Sequence, residues 1–327
     1  MDTRAQVNRR RFLQSVIGAA AGAPAFAQEK PSKAQIAITL DLEMARNFPR
    51  WEDTHWDYEK GNLDAATRRY AVEAARRVRA RGGHIHFFLV ARALEQNDVS
   101  WLKDIIQAGH AVGNHTYDHA NLLAKTPEQT QFRFQKEPAL VAGKSVPEIL
   151  RDNIDRATRK MQERLGVRPV GFRTPGGFAH GLTGREDLQR MLRELGFDWV
   201  SSRYPAHSIS KPGTEPGPEV FDSIIEAQAA AQPFKYPTGL VEIPMSPISD
   251  IGAFRNCRWP LPNFLKAIRR AVNWCIEHGA VFDFLGHPAC LNVVDPEFQA
   301  IDLICRQVEE SRGKAELATL DQIARRA

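Results

Sequence analysis

The stretch that decides the fold is residues 35–43, which read Gln-Ile-Ala-Ile-Thr-Leu-Asp-Leu-Glu. Its apolar and β-branched beginning, Gln35–Leu40, predicts a buried strand that ends at Asp41. Side chains two residues apart point to the same side of a strand, so Asp41 and Glu43 should face the same way. The stretch therefore predicts a strand that presents two carboxylates at its carboxyl end.

Strand-like runs and amphipathic helices alternate about seven times along the chain. After the first strand, the predicted strands are 84–91, 111–114, 170–173, 197–201, 240–245 and 280–286. The predicted helices, several of them stopped by a glycine, are 63–81, 98–108, 146–165, 186–195, 263–278 and 296–312. This repetition implies a parallel sheet with right-handed crossovers. At this length a closed β/α barrel is the leading expectation and an open doubly wound sheet is the alternative.

The first 27 residues have the pattern of an export signal. A twin arginine, Arg9-Arg10, precedes an apolar stretch of small residues, and Ala25-Phe26-Ala27 has the small-x-small form of a cleavage site. We expect residues 1–27 to be a twin-arginine signal peptide and the mature protein to be periplasmic or extracellular. No later stretch has the ~18 uninterrupted apolar residues of a membrane span.

Composition argues for a globular domain and against a nucleic-acid partner. Apolar residues make up 43% of the chain and charged residues 25%, which is typical of a packed core. The net charge is +5, but three of these charges belong to residues 1–27, and nucleic-acid binding needs a clustered basic face. An oxidising compartment permits disulfides, yet the spacing leaves both bridges and free thiols open for the cysteines, Cys257, Cys275, Cys290 and Cys305.

Side chains suited to catalysis follow four predicted strands: Asp41 and Glu43, His115 and His119, Arg173, and His287. In a β/α barrel the carboxyl ends of the strands form the active-site face. These residues are remote from one another in sequence, yet all fall at the same predicted edge. We therefore expect them to form one site.

The segment from His115 to His119 spaces two imidazoles four residues apart. On one helical turn they would face the same way and bind one cation. Thr116 stands where the zincin pattern has a glutamate, so this is not that pattern. The spacing alone is weak, but a carboxylate at a strand end would complete a set of two histidines and one acid. Such a set leaves positions open for water and substrate.

Four ordered segments resemble the motifs of the polysaccharide deacetylase family, the NodB-homology or carbohydrate esterase family 4 hydrolases. Residues 39–43, 115–119, 172–177 and 285–287 read Thr-Leu-Asp-Leu-Glu, His-Thr-Tyr-Asp-His, Phe-Arg-Thr-Pro-Gly-Gly and Leu-Gly-His. The resemblance implies a distorted (β/α)7-type barrel that forms a single catalytic domain over residues 28–327. It also implies hydrolysis of N-acetyl groups on amino sugars, or less often of other amides or ring amides.

The resemblance implies a role for each matched residue. Asp41 corresponds to the catalytic base, Arg173 to the arginine that pairs with it, and His287 to the general acid. The implied ligands of a divalent metal, expected to be zinc, are Glu43, His115 and His119.

The first motif departs from the usual family pattern of two adjacent aspartates, because Leu42 separates Asp41 from Glu43. This leaves open which carboxylate binds the metal, and it weakens the expectation that the substrate is ordinary chitin. The family commonly has an aspartate that raises the pKa of the acid histidine. The candidates are Asp198, Asp250 and Asp283, and the sequence does not choose among them.

An aromatic and acidic segment follows the first strand. Residues 50–58 read Arg-Trp-Glu-Asp-Thr-His-Trp-Asp-Tyr. Loops at this edge of a barrel often shape the pocket, and aromatic rings beside carboxylates suit a sugar. Trp51 and Trp56 are therefore candidate substrate contacts, and a packed lid without substrate contact is the alternative.

The sequence as a whole predicts an exported, metal-dependent hydrolase that removes N-acetyl groups from an amino-sugar glycan. One alternative is a hydrolase of another linear or ring amide, similar to an allantoinase. The other is a non-catalytic exported protein that binds glycan with a degenerate barrel. The presence of a base, a ligand set and an acid together argues against the second alternative.

Overall fold

The structure, a computed structural model, describes residues 33–44 and 60–327. The predicted signal and the segment with Trp51 and Trp56 lie outside these ranges and stay predictions. The described strands are β1 Ala34–Leu42, β2 Ile85–Leu89, β3 Ala111–Asn114, β4 Gly171–Phe178, β5 Trp199–Arg203, β6 Phe234–Lys235, β7 Val241–Glu242, β8 Val281–Gly286 and β9 Ala315–Leu317. The α-helices are α1 Ala65–Ala80, α2 Ser100–Gln107, α3 Phe132–Lys136, α4 Val146–Leu165, α5 Glu186–Glu194, α6 Pro218–Ala230, α7 Leu261–His278, α8 Pro288–Val294, α9 Gln299–Glu310 and α10 Leu320–Ala324.

The strands form one curled sheet in the order β6-β7-β5-β4-β3-β2-β1-β8, with β9 paired to the start of β1. Neighbours in this order are parallel except for β6 and β7. Helices surround the sheet, which confirms the predicted distorted β/α barrel in a single domain. The parallel pairing brings the carboxyl ends of β1, β3, β4 and β8 to the same edge.

Alternation along β1 decides what lies inside the barrel. Ile36 and Leu40 belong to the largest apolar cluster, which includes residues of α1, α7 and α9. Ala37 belongs to a second apolar cluster with side chains of β2, β5 and α10. Asp41 and Glu43, which continue this inward face, are buried polar residues. The interior is therefore apolar at one end and carries carboxylates at the other.

The barrel has a seam between the chain that follows β7 and strand β8. A backbone hydrogen bond of 2.9 Å crosses it, from the Ser246 N–H to the Asp283 carbonyl. Gln232, just after α6, accepts the Val281 N–H at 2.8 Å, and Gln228 donates to the Val281 carbonyl at 3.0 Å. Because an unpaired buried strand edge would leave polar groups without partners, these glutamine side chains stabilise the seam.

Helix α4 has the predicted bounds because both of its ends carry strong signals. Ser145 and Glu148 form a capping box at its start, and Gly166 adopts a left-handed conformation after its end. The predicted strand over 240–245 is shorter in the structure, where β7 has two residues. Backbone hydrogen bonds towards β5 nevertheless continue past β7, from the Ile243 N–H to the Val200 carbonyl at 2.8 Å and from the Met245 N–H to the Arg203 carbonyl at 2.9 Å.

The four cysteines are free and buried in the structure. This selects thiols over disulfides, the choice that the sequence left open. Within residues 33–44 and 60–327, none of the helices combines the length and the apolar character that crossing a bilayer requires.

His86 on β2 is a buried histidine that the site does not use. Its ring stacks on that of Phe88, with 4.7 Å between centroids. Burial lowers the pKa of His86 to about 4; Asp321 and Asp41 oppose the shift, and Arg173 adds to it. The folded chain therefore keeps this ring neutral at a pH where an unfolded chain would protonate it.

Stability should consequently depend on pH through His86. In the unfolded chain the pKa of His86 is about 6.5. The contribution of the neutral His86 ring to the free energy of unfolding is therefore complete above that pH and is lost as the pH falls towards 4. We expect His86→Phe to reduce the acid loss of unfolding free energy by up to about 1.4 kcal/mol per pH unit. Urea unfolding at several pH values measures this. Above about pH 7 both proteins should show parallel curves, and equal slopes in the acid range would contradict the prediction.

Candidate active site

Two histidines and a glutamate converge at the carboxyl ends of β1 and β3. Glu43 Oε2 lies 2.6 Å from His119 Nε2 and 3.3 Å from His115 Nε2. The three ligand atoms lie within 4.8 Å of one another. Burial, with Lys60 adding to it, lowers the pKa of His119 to about 4. The ring is therefore neutral near pH 7, as metal ligation requires.

The predicted helical turn between the two histidines is wrong. Thr116 and His119 have φ angles of 61° and 63°, which a right-handed helix excludes. Asn114 Oδ1 accepts the Thr116 N–H at 2.7 Å, and Asn153 Oδ1 of α4 accepts the Tyr117 N–H at 2.9 Å. Because side chains satisfy these N–H groups, the segment turns tightly instead of forming a helix. The imidazoles still converge, but on a loop.

Lys60 is a site residue that the sequence analysis missed. Its side chain is 1% exposed, and its Nζ lies 2.6 Å from Glu43 Oε1. Burial alone would raise the pKa of Glu43, but Lys60 and the two histidines outweigh it and hold the pKa well below its usual range. Glu43 is therefore an anion. Its Oε1 contacts the ammonium group of Lys60, and its Oε2 contacts His115 and His119. Nothing in the sequence distinguishes this lysine from a surface lysine.

Arg173 is buried inside the barrel and binds two acids. Its Nη1 donates to Asp41 Oδ1 at 3.0 Å and to Thr39 Oγ1 at 2.7 Å. Its Nη2 pairs with Asp283 Oδ2. Burial raises the pKa of Asp283 to about 6, although Arg173 and Thr39 oppose the shift. Arg173 thus contacts Asp41 as predicted, whereas Asp283 contacts Arg173 and not His287.

Among the three aspartates considered for tuning the acid histidine, Asp250 contacts His287. Its Oδ1 lies 2.8 Å from His287 Nδ1, and its Oδ2 accepts the His287 backbone N–H at 2.7 Å. Burial lowers the pKa of His287, but nearby carboxylates, Asp250 foremost, outweigh it and raise the pKa to about 9. Asp198 is exposed and pairs with Arg193 on α5.

One pocket of about 320 Å³ is lined by the ligand trio together with Asp41 and His287. The Gly176-Gly177 turn of β4 and the Tyr204 side chain form part of its wall. Gly176 has a φ of 80°, and a Cβ on Gly177 would lie 2.4 Å from Tyr204 Cβ. Glycine therefore lets this turn approach the site closely. The volume is in the range of pockets that hold small molecules.

The donor set of Glu43, His115 and His119 fits a divalent metal ion. Two imidazoles and one carboxylate form a common catalytic zinc set. His115 Nδ1 lies 2.9 Å from the Arg173 carbonyl, a contact that directs Nε2 towards the site. A β/α barrel with such a set, a base and an acid at the carboxyl ends of its strands is typical of hydrolases.

A comparison with protein families narrows the class. Residues 61–200 match the family described as polysaccharide deacetylase. This segment includes His115, His119 and Arg173, while Asp41 and Glu43 precede it. The match confirms the predicted resemblance to the polysaccharide deacetylase family. It does not cover the Asp-x-Glu form of the first motif.

Several solved structures share the fold. A protein described as a polysaccharide deacetylase from Mycobacterium smegmatis is 17% identical, with a TM-score of 0.61 and 91% of each chain covered. One from Pseudomonas aeruginosa PAO1 is 16% identical, with a TM-score of 0.59 and 89% of each chain covered. The allantoinase Puue is 15% identical, with a TM-score of 0.58, and the match covers 94% of this chain and 97% of that one. At these identities the likeness shows the fold alone. No curated protein sequence matches the chain.

Proposed function

We propose that the protein is a metal-dependent amide hydrolase that removes N-acetyl groups from an amino-sugar glycan. The observation that supports it is the convergence in one pocket of a ligand trio, an acid held by arginine and a histidine held by aspartate. The polysaccharide deacetylase match over residues 61–200 supports the same class of reaction.

Asp41 is the proposed general base. A divalent cation held by Glu43, His115 and His119, with zinc as the proposed ion, would lower the pKa of a bound water and polarise the amide carbonyl. Asp41 Oδ2 lies 3.8 Å from His115 Nε2, on the side of the ligand trio. Its Oδ1 is held by Arg173, so Oδ2 is placed to take the proton from the attacking water.

His287 is the proposed general acid. An amide nitrogen is a poor leaving group unless it gains a proton. The raised pKa of His287 means that a proton is present near neutral pH. Because Asp250 binds Nδ1, Nε2 is the atom that donates the proton to the departing nitrogen.

Hydrolysis of a ring amide is the second candidate function. The Asp41-Leu42-Glu43 spacing departs from the adjacent aspartates of the family, which favours a substrate other than an ordinary chitin chain. The allantoinase Puue has the same fold over 97% of its chain. A pocket of about 320 Å³ suits one small ring. A substrate panel that scores acetate release against ring opening separates the two candidates.

Metal content and acetate release test the proposal together. We expect the purified protein to hold about one divalent ion per chain and to release acetate from N-acetylglucosamine oligomers, and chelation should abolish the release. His115→Ala removes one of three protein ligands, so metal affinity should fall by at least about 100-fold, together with activity. Elemental analysis and metal titration measure the loss.

His278→Ala is the matched control. His278 is exposed at the end of α7 and precedes β8, so it lies at the opposite end of the barrel and should not affect metal binding. Unchanged metal content in His115→Ala would refute the ligand assignment. A metal-loaded protein that opens ring amides and releases no acetate would establish the second candidate instead.

We propose in addition that the protein acts outside the cytoplasm. The support is the order of twin arginine, apolar stretch and Ala25-Phe26-Ala27 within residues 1–27. The protein recovered from the periplasm or the medium should begin near Gln28. A purely cytoplasmic protein with an intact N-terminus would contradict this part of the proposal.

A further inference from the structure

Part of the pocket wall is a short π-helix, Ile251–Asn256. π-Helices are rare in proteins, and those that do occur are often found at functional sites. Asp250 precedes it, and its Oδ1 accepts the Ile251 N–H at 2.9 Å while it also contacts His287 Nδ1. One buried carboxylate therefore positions both the proposed acid and the start of this helix.

The other end of the π-helix is also fixed. Ala253 and Phe254 are buried in the core. The Cys257 N–H donates to the Gly252 carbonyl at 3.0 Å, and the Trp259 N–H donates to the Ala253 carbonyl at 2.8 Å. Because its backbone is held on both sides, the π-helix presents its remaining side chains to the pocket from a defined position.

Arg255 is the one lysine or arginine among the pocket-lining residues that the structure describes. The two carboxylates that line the pocket in the described part of the chain have other cations, because Arg173 binds Asp41 and Lys60 binds Glu43. Arg255 takes part in a further interaction within the chain, so what matters here is its charge and its position on the wall. A neutral N-acetyl group requires no guanidinium, whereas a carboxylate is the group that a guanidinium binds best.

We propose that Arg255 selects amide substrates that carry a carboxylate near the scissile amide. The inference rests on the proposed function and narrows its substrate class to acidic amides, whether acylated sugars or rings. A charge-assisted hydrogen bond of this kind should favour the acidic substrate about 10- to 100-fold over its neutral counterpart.

Two matched substrate pairs test this role, each differing by one carboxylate: N-acetylglucosamine with its 6-carboxylate, and dihydrouracil with dihydroorotate. For the pair that the protein hydrolyses, Arg255→Gln should raise the KM of the acidic member at least about tenfold more than that of the neutral member. The kcat values for the acidic and the neutral member should change by the same factor. Arg255→Lys keeps the charge and should retain part of the preference. Arg258→Gln is the control, because Arg258 is exposed and lies outside the lining of the pocket.

Calorimetric binding of the same four compounds to the zinc-loaded protein provides a readout that does not depend on turnover. A wild-type protein that binds acidic and neutral members equally would overturn the inference, and so would an equal loss for both members in Arg255→Gln. If the acids bind preferentially through Arg255 but none of the four compounds is hydrolysed, the inference holds and the proposed function fails for these amides. Unfolding midpoints of the variants exclude a folding defect as the cause.

Discussion

Replacing Asp41 by Asn is expected to lower kcat by about 10²- to 10⁴-fold while the metal content stays at the wild-type level. Asn has the same shape and can still accept the Arg173 hydrogen bond through its carbonyl oxygen, so the local geometry is kept. It cannot take a proton from water. Turnover and metal content measured on the same preparation test the prediction. Activity above a tenth of the wild-type value would remove Asp41 from the role of base.

Asp283→Asn is the control that separates base catalysis from a loosened Arg173. Asp283 binds the other side of the same guanidinium but does not line the pocket. Both variants therefore remove one carboxylate charge from Arg173, and one of them also removes the proton acceptor. We expect Asp283→Asn to lose far less activity than Asp41→Asn. Equal losses would mean that the arginine, rather than the base, limits both variants.

The second large effect is expected on stability. Arg173→Met should lower the free energy of unfolding by about 3–5 kcal/mol at pH 7, because it leaves Asp41 and Asp283 buried without their cation. The loss should shrink as the pH falls from about 7 towards 5, because the pKa of Asp283 is already raised to about 6 beside Arg173, and without that cation this carboxyl takes up a proton more readily. Urea unfolding at both pH values measures this, with the free energies extrapolated to water.

A double variant tests whether unpaired charge causes that loss. Adding Asp283→Asn to Arg173→Met removes one of the stranded carboxylates and should recover part of the stability, so the two changes should not be additive. Arg151→Met is the matched control: its ion pair with Glu194 is exposed, and such pairs contribute at most about 1 kcal/mol. A similar loss in both arginine variants would contradict the explanation.

The position of the site could be predicted because strand geometry is regular. Once Gln35–Leu40 is assigned as a strand, the two-residue period places Asp41 and Glu43 on one face. Parallel pairing then brings the ends of the other strands beside them. His115, His119 and His287 were identified by this argument together with the family resemblance, and the structure brings them together with the two carboxylates.

The partner of His287 could not be predicted from the sequence. Asp283 shares a strand face with His287 by spacing, yet its carboxylate pairs with Arg173 inside the barrel. Asp250 lies 37 residues from His287, in a segment whose π-helix has no sequence signal. The role of Lys60 could not be predicted either, because its burial depends on contacts that only the folded chain creates.

Two local errors had different physical origins. Helix α6 is absent from the predicted helices, although its sequence carries a readable signal: Pro218 stands at its first turn, and the buried residues Val220, Phe221 and Ile224 lie on one face. The turn between His115 and His119 carried no such signal. Its N–H groups are bonded by Asn114 and by Asn153, which comes from a distant helix, so the local spacing could not exclude a helical turn.

The buried thiols bear on the order of folding and export that the proposed localisation would require. Oxidation and exchange of a thiol require access to it, and the folded barrel denies access to Cys257, Cys275, Cys290 and Cys305. A chain that emerged unfolded into an oxidising space would expose all of them, with three ways to form two bridges. A chain that folded in a reducing cytoplasm before the proposed export would instead arrive with its thiols already buried. On that route the core that supports the site would also protect the thiols from oxidation and exchange.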